Sequence, residues 1–424
     1  MIDTGNTAWM LIATALVLMM TPALGLFYAG LVRSKNTLNT FMMCISAIAV
    51  GTITWTVIGY SLAFDGDAGF VGGLHHAFLN DVGLLPREGT TFPHLLFFAF
   101  QGTFCILTTA LVAGAVVERM RFGAFLLFAA LWSVVVYAVL AHWSLGGGWL
   151  ESNGALEFAG GVPVEIASGF SALAAALVVG ARRDYGRQAL LPHNAVFVLL
   201  GAGLLWFGWF GFNGGSGYST GAPSVLAFVN TLLCPACTLL AWFVLDLIRG
   251  RKVTAIGAAT AIVVGCVGIT PAAGFVAPGW AMLLGALTAI PCYILIVWRT
   301  RTRVDETLDV LAAHGVSGII GILFIGVFAQ SSWNGVADGL LFGNPSQLLH
   351  QALAVLTAPV YAFVATYLLL RLIALVMPLR ADEREEALGM DVVFHGEQAY
   401  ASGEGAILIM QDVMRPADEE LAAT

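Results

Sequence analysis

Glu165 and His314 are the residues of this chain best placed to do chemistry. Each heads the same short pattern, Glu165-Ile166-Ala167-Ser168-Gly169 and His314-Gly315-Val316-Ser317-Gly318. Each pattern opens a short apolar segment in a chain that is apolar almost throughout. A carboxyl and an imidazole that meet can hold and pass a proton, titrating as a coupled pair. A charged side chain at a bilayer centre costs at least about 2.5–3.5 kcal/mol, so ionisable groups there point to function. Matched groups in two halves predict a midplane site between inverted repeats. The bland alternative is a buried, hydrogen-bonded pair with no role beyond structure.

The elements that must position this pair follow from composition. Of 424 residues, 59% are hydrophobic and 10% charged, with mean hydropathy +0.87. A soluble protein carries about 25% charged residues. The chain therefore reads as an all-α polytopic membrane protein. At about 20 apolar residues per crossing, eleven spans are expected. They lie near 8–32, 38–63, 93–117, 122–145, 163–181, 194–213, 223–248, 254–274, 277–298, 314–332 and 347–377. Arg and Lys cluster after the odd-numbered spans, as at Arg33, Arg119, Arg182, Arg249, Arg299 and Arg380. The loops after even spans hold almost none, Arg87 excepted. The positive-inside rule then puts the N-terminus outside and the C-terminus in the cytoplasm. Five spans separate the two patterns, so the second copy runs in the opposite sense. This gives a 5+5 inverted repeat plus one extra helix. Residues 1–377 form the membrane domain and 378–424 a charged cytoplasmic tail. The 49 glycines, many inside apolar runs, suit close helix crossing. The N-terminus lacks the basic start of a signal peptide.

Other residues could handle a ligand. Phe100-Gln101-Gly102-Thr103-Phe104 lies in the third span, and Trp209 to Ser216 ends the sixth. Aromatic faces attract a small cation by about 0.5–2 kcal/mol each, and a serine hydroxyl can accept its hydrogen bond. The competing reading is that these rings only pack or sit in an aromatic belt. Glu157 lies at the end of a glycine-rich loop that delivers the chain to the fifth span. It reads as an N-cap-like carboxylate that shapes the outer vestibule without touching a ligand. Cys234-Pro235-Ala236-Cys237 lies in an apolar segment and reads as packing, not redox or metal chemistry. The adjacent His75 and His76 make a poor chelate and read as a solvated loop feature. No nucleotide motif, nucleophile–base spacing or metal-ligand cluster is present in the sequence. No enzyme, cofactor, metal site or nucleic-acid partner is expected.

Several ordered motifs resemble the ammonium transporter (Amt/Mep/Rh) family over about residues 5–400. They include Leu26 to Asn36, Phe100 to Phe104, Glu118-Arg119-Met120-Arg121-Phe122, Phe158 to Gly161 and Pro192-His193-Asn194. They continue with Gly208 to Asn213, Ala227 to Thr231, Thr270 to Gly274, His314-Gly315-Val316 and Asp391 to Tyr400. The resemblance implies the Amt/Rh fold, a homotrimer in a cell (inner) membrane and a narrow hydrophobic pore in each protomer. Ammonium or ammonia would be the substrate, and a PII-type signalling protein would dock on the inner face. By matched position, Ser216 belongs to an outer ammonium site with Phe100 nearby, Phe104 and Phe212 to a gate, and His314 to a pair of pore histidines. Three positions depart from the common pattern. Glu165 stands for the first pore histidine, Glu157 for the aspartate that organises the outer site, and Leu145 for the outer-site tryptophan.

The expected function is recruitment of ammonium outside, deprotonation at the phenylalanine gate, and passage of ammonia past a Glu165–His314 pair, with or without a separately carried proton. The alternative is a low-flux ammonium sensor that signals through its tail, which the three departures also suit. No kinase or cyclase segment follows the tail, which favours transport.

Overall fold

In the computed structural model, which describes residues 1–66 and 69–400, eleven helices are long and apolar enough to cross a membrane. They are Thr4–Leu31, Ser34–Phe64, His94–Ala113, Phe122–Ser152, Gly161–Val179, Ala195–Gly215, Ala222–Ile248, Ala255–Ala272, Pro278–Arg299, Leu311–Phe328 and Ser346–Ile373. Among the described residues there is no sheet, only two isolated bridges. The reason is physical: in hydrocarbon each backbone N–H and C=O must be paired internally, and a helix does this within one segment. Pro22, Pro235, Pro291 and Pro359 sit inside these helices, a placement that membrane helices tolerate when neighbours re-satisfy the freed groups. Polar side chains start several of them. Asp3 accepts from the Asn6 N–H, Asn194 from Phe197 and Thr254 from Gly257.

The loops fall on two faces. On one, the N-terminal segment meets the loops that follow the second and sixth spans: Asn6 bonds Thr91 and Thr220, and Gln347 bonds Gly154. On the other, Arg33, Glu118, Arg182, Asp305 and Glu386 converge with the start of the tail. The basic clusters after the first, third, fifth, ninth and eleventh spans therefore share one face. The described part of the tail is held there. Asp391 accepts from the Leu38 and Asn39 N–H groups at the start of a helix, and Lys35 Nζ donates to the Glu386 and Ala387 carbonyls. Residues 401–424 lie outside the described residues.

Several ends differ from the hydropathy reading, among them the fourth span, which runs on to Ser152, and two boundaries bear on the site. The third span was expected to reach residue 117 but ends at Ala113. Beyond it the chain turns so that Glu118, at φ +71°, can accept from three residues, Arg33, Asn36 and Arg182. The tenth span begins at Leu311 and not at His314, because a π-helical turn (Leu311–Val316) precedes its α-helical part.

Cys234 is buried, its Sγ 3.4 Å from the Gly265 carbonyl, and Cys237 is half-buried. All six cysteines are free thiols.

Candidate functional site

Glu165 and His314 come together although 149 residues separate them: His314 Nδ1 lies 2.7 Å from Glu165 Oε2. Both side chains are almost fully buried. Each sits in a π-helical turn at the start of its span, Gly161–Ile166 and Leu311–Val316. Such wide turns recur at functional sites because they re-aim a side chain. The spans cross on small residues. A Cβ on Gly169 would lie 2.3 Å from the Gly315 Cα, and one on Gly318 would lie 2.8 Å from the Glu165 Cβ. A side chain at either glycine would push the two ionisable residues apart. The Ser-Gly steps after Glu165 and His314 thus do what their composition suggested, on both sides of the crossing.

The pair shares one proton position between its facing atoms. Either Nδ1–H donates to a carboxylate, or a carboxylic acid donates to a bare Nδ1. Glu165 Oε1 is buried with no hydrogen-bond partner, so one carboxyl oxygen remains open to a donor.

The pair lies on an apolar slit of about 10 Å³, also lined by Phe212, Trp209, Leu205, Leu107 and Phe27. That volume is about what one water molecule needs. On one side of the slit Phe212 lies close against Phe104, ring centroids 4.2 Å apart and the planes tilted by 38°, so the expected stacking is a tilted contact, and Phe104 meets Phe100 edge-on at 4.9 Å. On the other, Phe27 and His314 also line a cavity of about 670 Å³ that includes Arg182, Arg299, Arg301 and Asp309. Two closely packed phenylalanines, a one-water slit, the ionisable pair and a wide vestibule with arginines on its wall therefore follow one another.

Ser216 lies at the end of the sixth span, nearly buried. Its hydroxyl donates to the Phe212 carbonyl at 2.8 Å, which leaves its oxygen lone pairs for a donor. Leu145 is half-buried and packs on the core. Glu157 accepts three backbone N–H bonds, from Gly160 (2.9 Å), Gly161 (2.8 Å) and Val162 (2.7 Å). It is the N-terminal carboxylate that its position suggested. His75 forms an exposed contact with Asp81 at 2.7 Å.

Sequence reading missed the counterpart of Glu157. Glu306 precedes His314 by the same eight residues by which Glu157 precedes Glu165. Its Oε2 accepts from the Leu311 N–H, at the start of the second π-helical turn and on the opposite face of the protein. The two halves are thus related down to the carboxylate that caps each π-helical turn, and the equal spacing was the available signal. The second cap is drier. Glu306 is 1% exposed, its Oε1 has no partner, and burial beside the Asp309 carboxylate pushes it well above the usual carboxylate range.

A buried ion network beneath the vestibule was also missed. Arg182 pairs with Asp305 through two guanidinium nitrogens (2.8 and 2.9 Å) and with Glu118 (2.8 Å). Arg33 and Asn36 also donate to Glu118. Burial opposes ionisation of both carboxyls, but the arginines prevail and hold Glu118 and Asp305 below their ordinary values. A depressed folded pKa contributes stability at neutral pH that is lost as pH falls below the usual carboxylate range. Removing one partner of a buried pair costs about 3–5 kcal/mol. Arg182→Ala is expected to lower Tm strongly in detergent at neutral pH, by less in acid, where wild type has already lost the pairs. Equal Tm loss at both pH values would show that the network's charge is not what holds these loops.

Comparison with known proteins places this arrangement. The model of the Ammonium Transporter Family matches residues 8–400. The ammonium transporter of Bacillus subtilis is 43% identical over 399 residues, 93% of this chain and 98% of that protein. That of Aquifex aeolicus is 44% identical over 402 residues, 94% of each chain. Among solved structures, Saccharomyces cerevisiae Mep2 superimposes with a TM-score of 0.85 at 33% identity, over 91% of this chain and 89% of that one. A protein titled Sensor Amt Protein superimposes with a TM-score of 0.86 at 29% identity, over 92% and 98%.

Proposed function

This chain belongs to the ammonium transporter family, and from that premise we propose how it moves ammonium. Its function as an ammonium transporter rests on the family. The steps below rest on the order of the residues along the slit.

Ammonium is recruited at an outer site formed by Phe100, Phe104 and Ser216, with Leu145 at its border. The cation meets ring faces and the Ser216 oxygen. At the closely packed Phe104 and Phe212 it faces a passage too narrow and apolar for a hydrated ion. Desolvating an ion there is prohibitive. Potassium has similar size and charge but no proton to give up. Ammonium can divide into ammonia, which crosses the slit, and a proton, which the Glu165–His314 pair accepts. The proton then leaves either back outward or inward to rejoin ammonia in the vestibule. Glu157 holds the outer turn in place through its three N–H bonds.

The positive-inside pattern supports an outward N-terminus and a cytoplasmic vestibule. Residues 1–377 act as the transport domain and 378–424 as a tail. Family membership also supports a homotrimer in a cell (inner) membrane and a PII-type protein at the inner face. The observation that carries the reading is a single slit that touches Phe212, Glu165 and His314. The sensor reading survives because a protein titled as a sensor shares the fold.

Solid-supported membrane electrophysiology on purified protein in vesicles, with an internal pH dye, separates the two. Ammonium pulses are expected to give protein-dependent current or alkalinisation, and potassium pulses neither. Absence of both ammonium signals, with ammonium binding intact, would favour the sensor.

A further inference from the structure

Four aromatic rings form a continuous series into the slit. Tyr218 meets Phe100 edge-on at 6.2 Å and 83°, Phe100 meets Phe104 at 4.9 Å, and Phe104 lies tilted against Phe212 at 4.2 Å. Tyr218 belongs to none of the motifs that pointed to the site. We propose that Tyr218 is the outermost wall of the ammonium site and supplies the aromatic face and polar oxygen that Leu145 does not. This rests on the reading of Phe100 and Ser216 as the outer site.

The chain works to hold Tyr218 where it is. It follows Ser216 by two residues, and its N–H donates to the Gly215 carbonyl at 2.9 Å. Its φ is +51°, a left-handed conformation that is costly for an aromatic residue. Such strain persists only where the surroundings over-determine it, and here they do. Gln101 Nε2 donates to the Tyr218 hydroxyl at 2.7 Å, and Phe97 and Phe92 flank the ring at 5.4 and 6.3 Å. Gln101 adjoins Phe100 on the third span, so the same segment fixes both rings. With Gln101 donating to it, the phenol oxygen keeps a second lone pair for a cation's N–H.

The neighbours of Leu145 are engaged elsewhere. Trp143 donates to the Phe70 carbonyl at 2.8 Å, and its ring pairs with Trp149 at 5.2 Å and Tyr361 at 4.9 Å. Tyr218 is the ring that touches Phe100 from the outer side.

The test measures half-saturating ammonium and maximal current for Tyr218→Leu, Tyr218→Phe and Ser216→Ala in vesicles. Loss of one cation–π wall is expected to raise half-saturating ammonium roughly two- to thirty-fold in Tyr218→Leu, with maximal current largely kept. Tyr218→Phe keeps the ring and loses the oxygen, and is expected to show a smaller rise; it also decides the matter if the leucine variant does not fold. Wild-type half-saturation in the folded Tyr218 variants, with a rise in Ser216→Ala, overturns the role of Tyr218 and leaves the outer site standing. Wild-type values in all three overturn both. A fall in maximal current at unchanged half-saturation in the Tyr218 variants would make the residue structural and also defeat the proposal.

Discussion

His314→Ala is expected to abolish ammonium flux, or lower it strongly, while the protein still folds and assembles. Phe27, Val263 and His314 line both the slit and the wide vestibule, and His314 is the ionisable one of the three. Its imidazole is one half of the pair that takes the proton, and its removal leaves Glu165 buried with neither carboxyl oxygen hydrogen-bonded. Two effects follow. The proton has lost its partner site, and an unpaired carboxyl now faces the slit. A single catalytic or relay group commonly contributes about 10²–10⁴-fold, so a loss near that size is expected in initial rate. The measurement is flux in vesicles, with size-exclusion and thermal melting as controls for folding. Wild-type flux from a well-folded variant would end the proton-handling role of this residue.

Replacements at Glu165 are expected to separate charge from shape. Glutamine keeps the size and a hydrogen bond to His314 but cannot titrate. Histidine restores a titrating group, and with it a pair of imidazoles. Flux should fall further in Glu165→Gln than in Glu165→His. The pH profile of Glu165→His should also shift, because a cationic acid takes the place of a neutral one in a coupled pair. If Glu165 serves only as a structural bond to His314, glutamine does nearly as well and the profile stays put. Initial flux against pH for wild type and both variants decides this. Three superimposable profiles would make Glu165 a packing residue.

The chain's apolar runs determined a great deal by themselves. Each span is a local property: some 20 residues either can or cannot sit in hydrocarbon. The eleven helices were therefore legible one window at a time. The alternation of Arg and Lys between loops is also local, and the two faces of the bundle follow it. The repeated ionisable-x-x-Ser-Gly pattern marked Glu165 and His314, because a buried ionisable residue stands out against an apolar background.

The matched patterns already paired Glu165 with His314; what tertiary structure alone decided were the atoms that meet and most of the other partners. Nothing in the local sequence says that Glu165 Oε2 meets His314 Nδ1, since that contact depends on two helices crossing at Gly169 and Gly315 and on a π-helical turn at the head of each. Hydropathy does not register a π-helical turn, which changes hydrogen-bond spacing without changing composition. It also missed Tyr218, whose place beside Phe100 comes from a left-handed backbone and a bond to Gln101 in another span. Arg182 read as one more positive charge in a loop, but it is the buried link between Glu118 and Asp305. Such contacts join residues far apart in the chain, and their energies depend on distance and burial. Residue type fixes what each group could do, and only the packing of the helices fixes which groups meet.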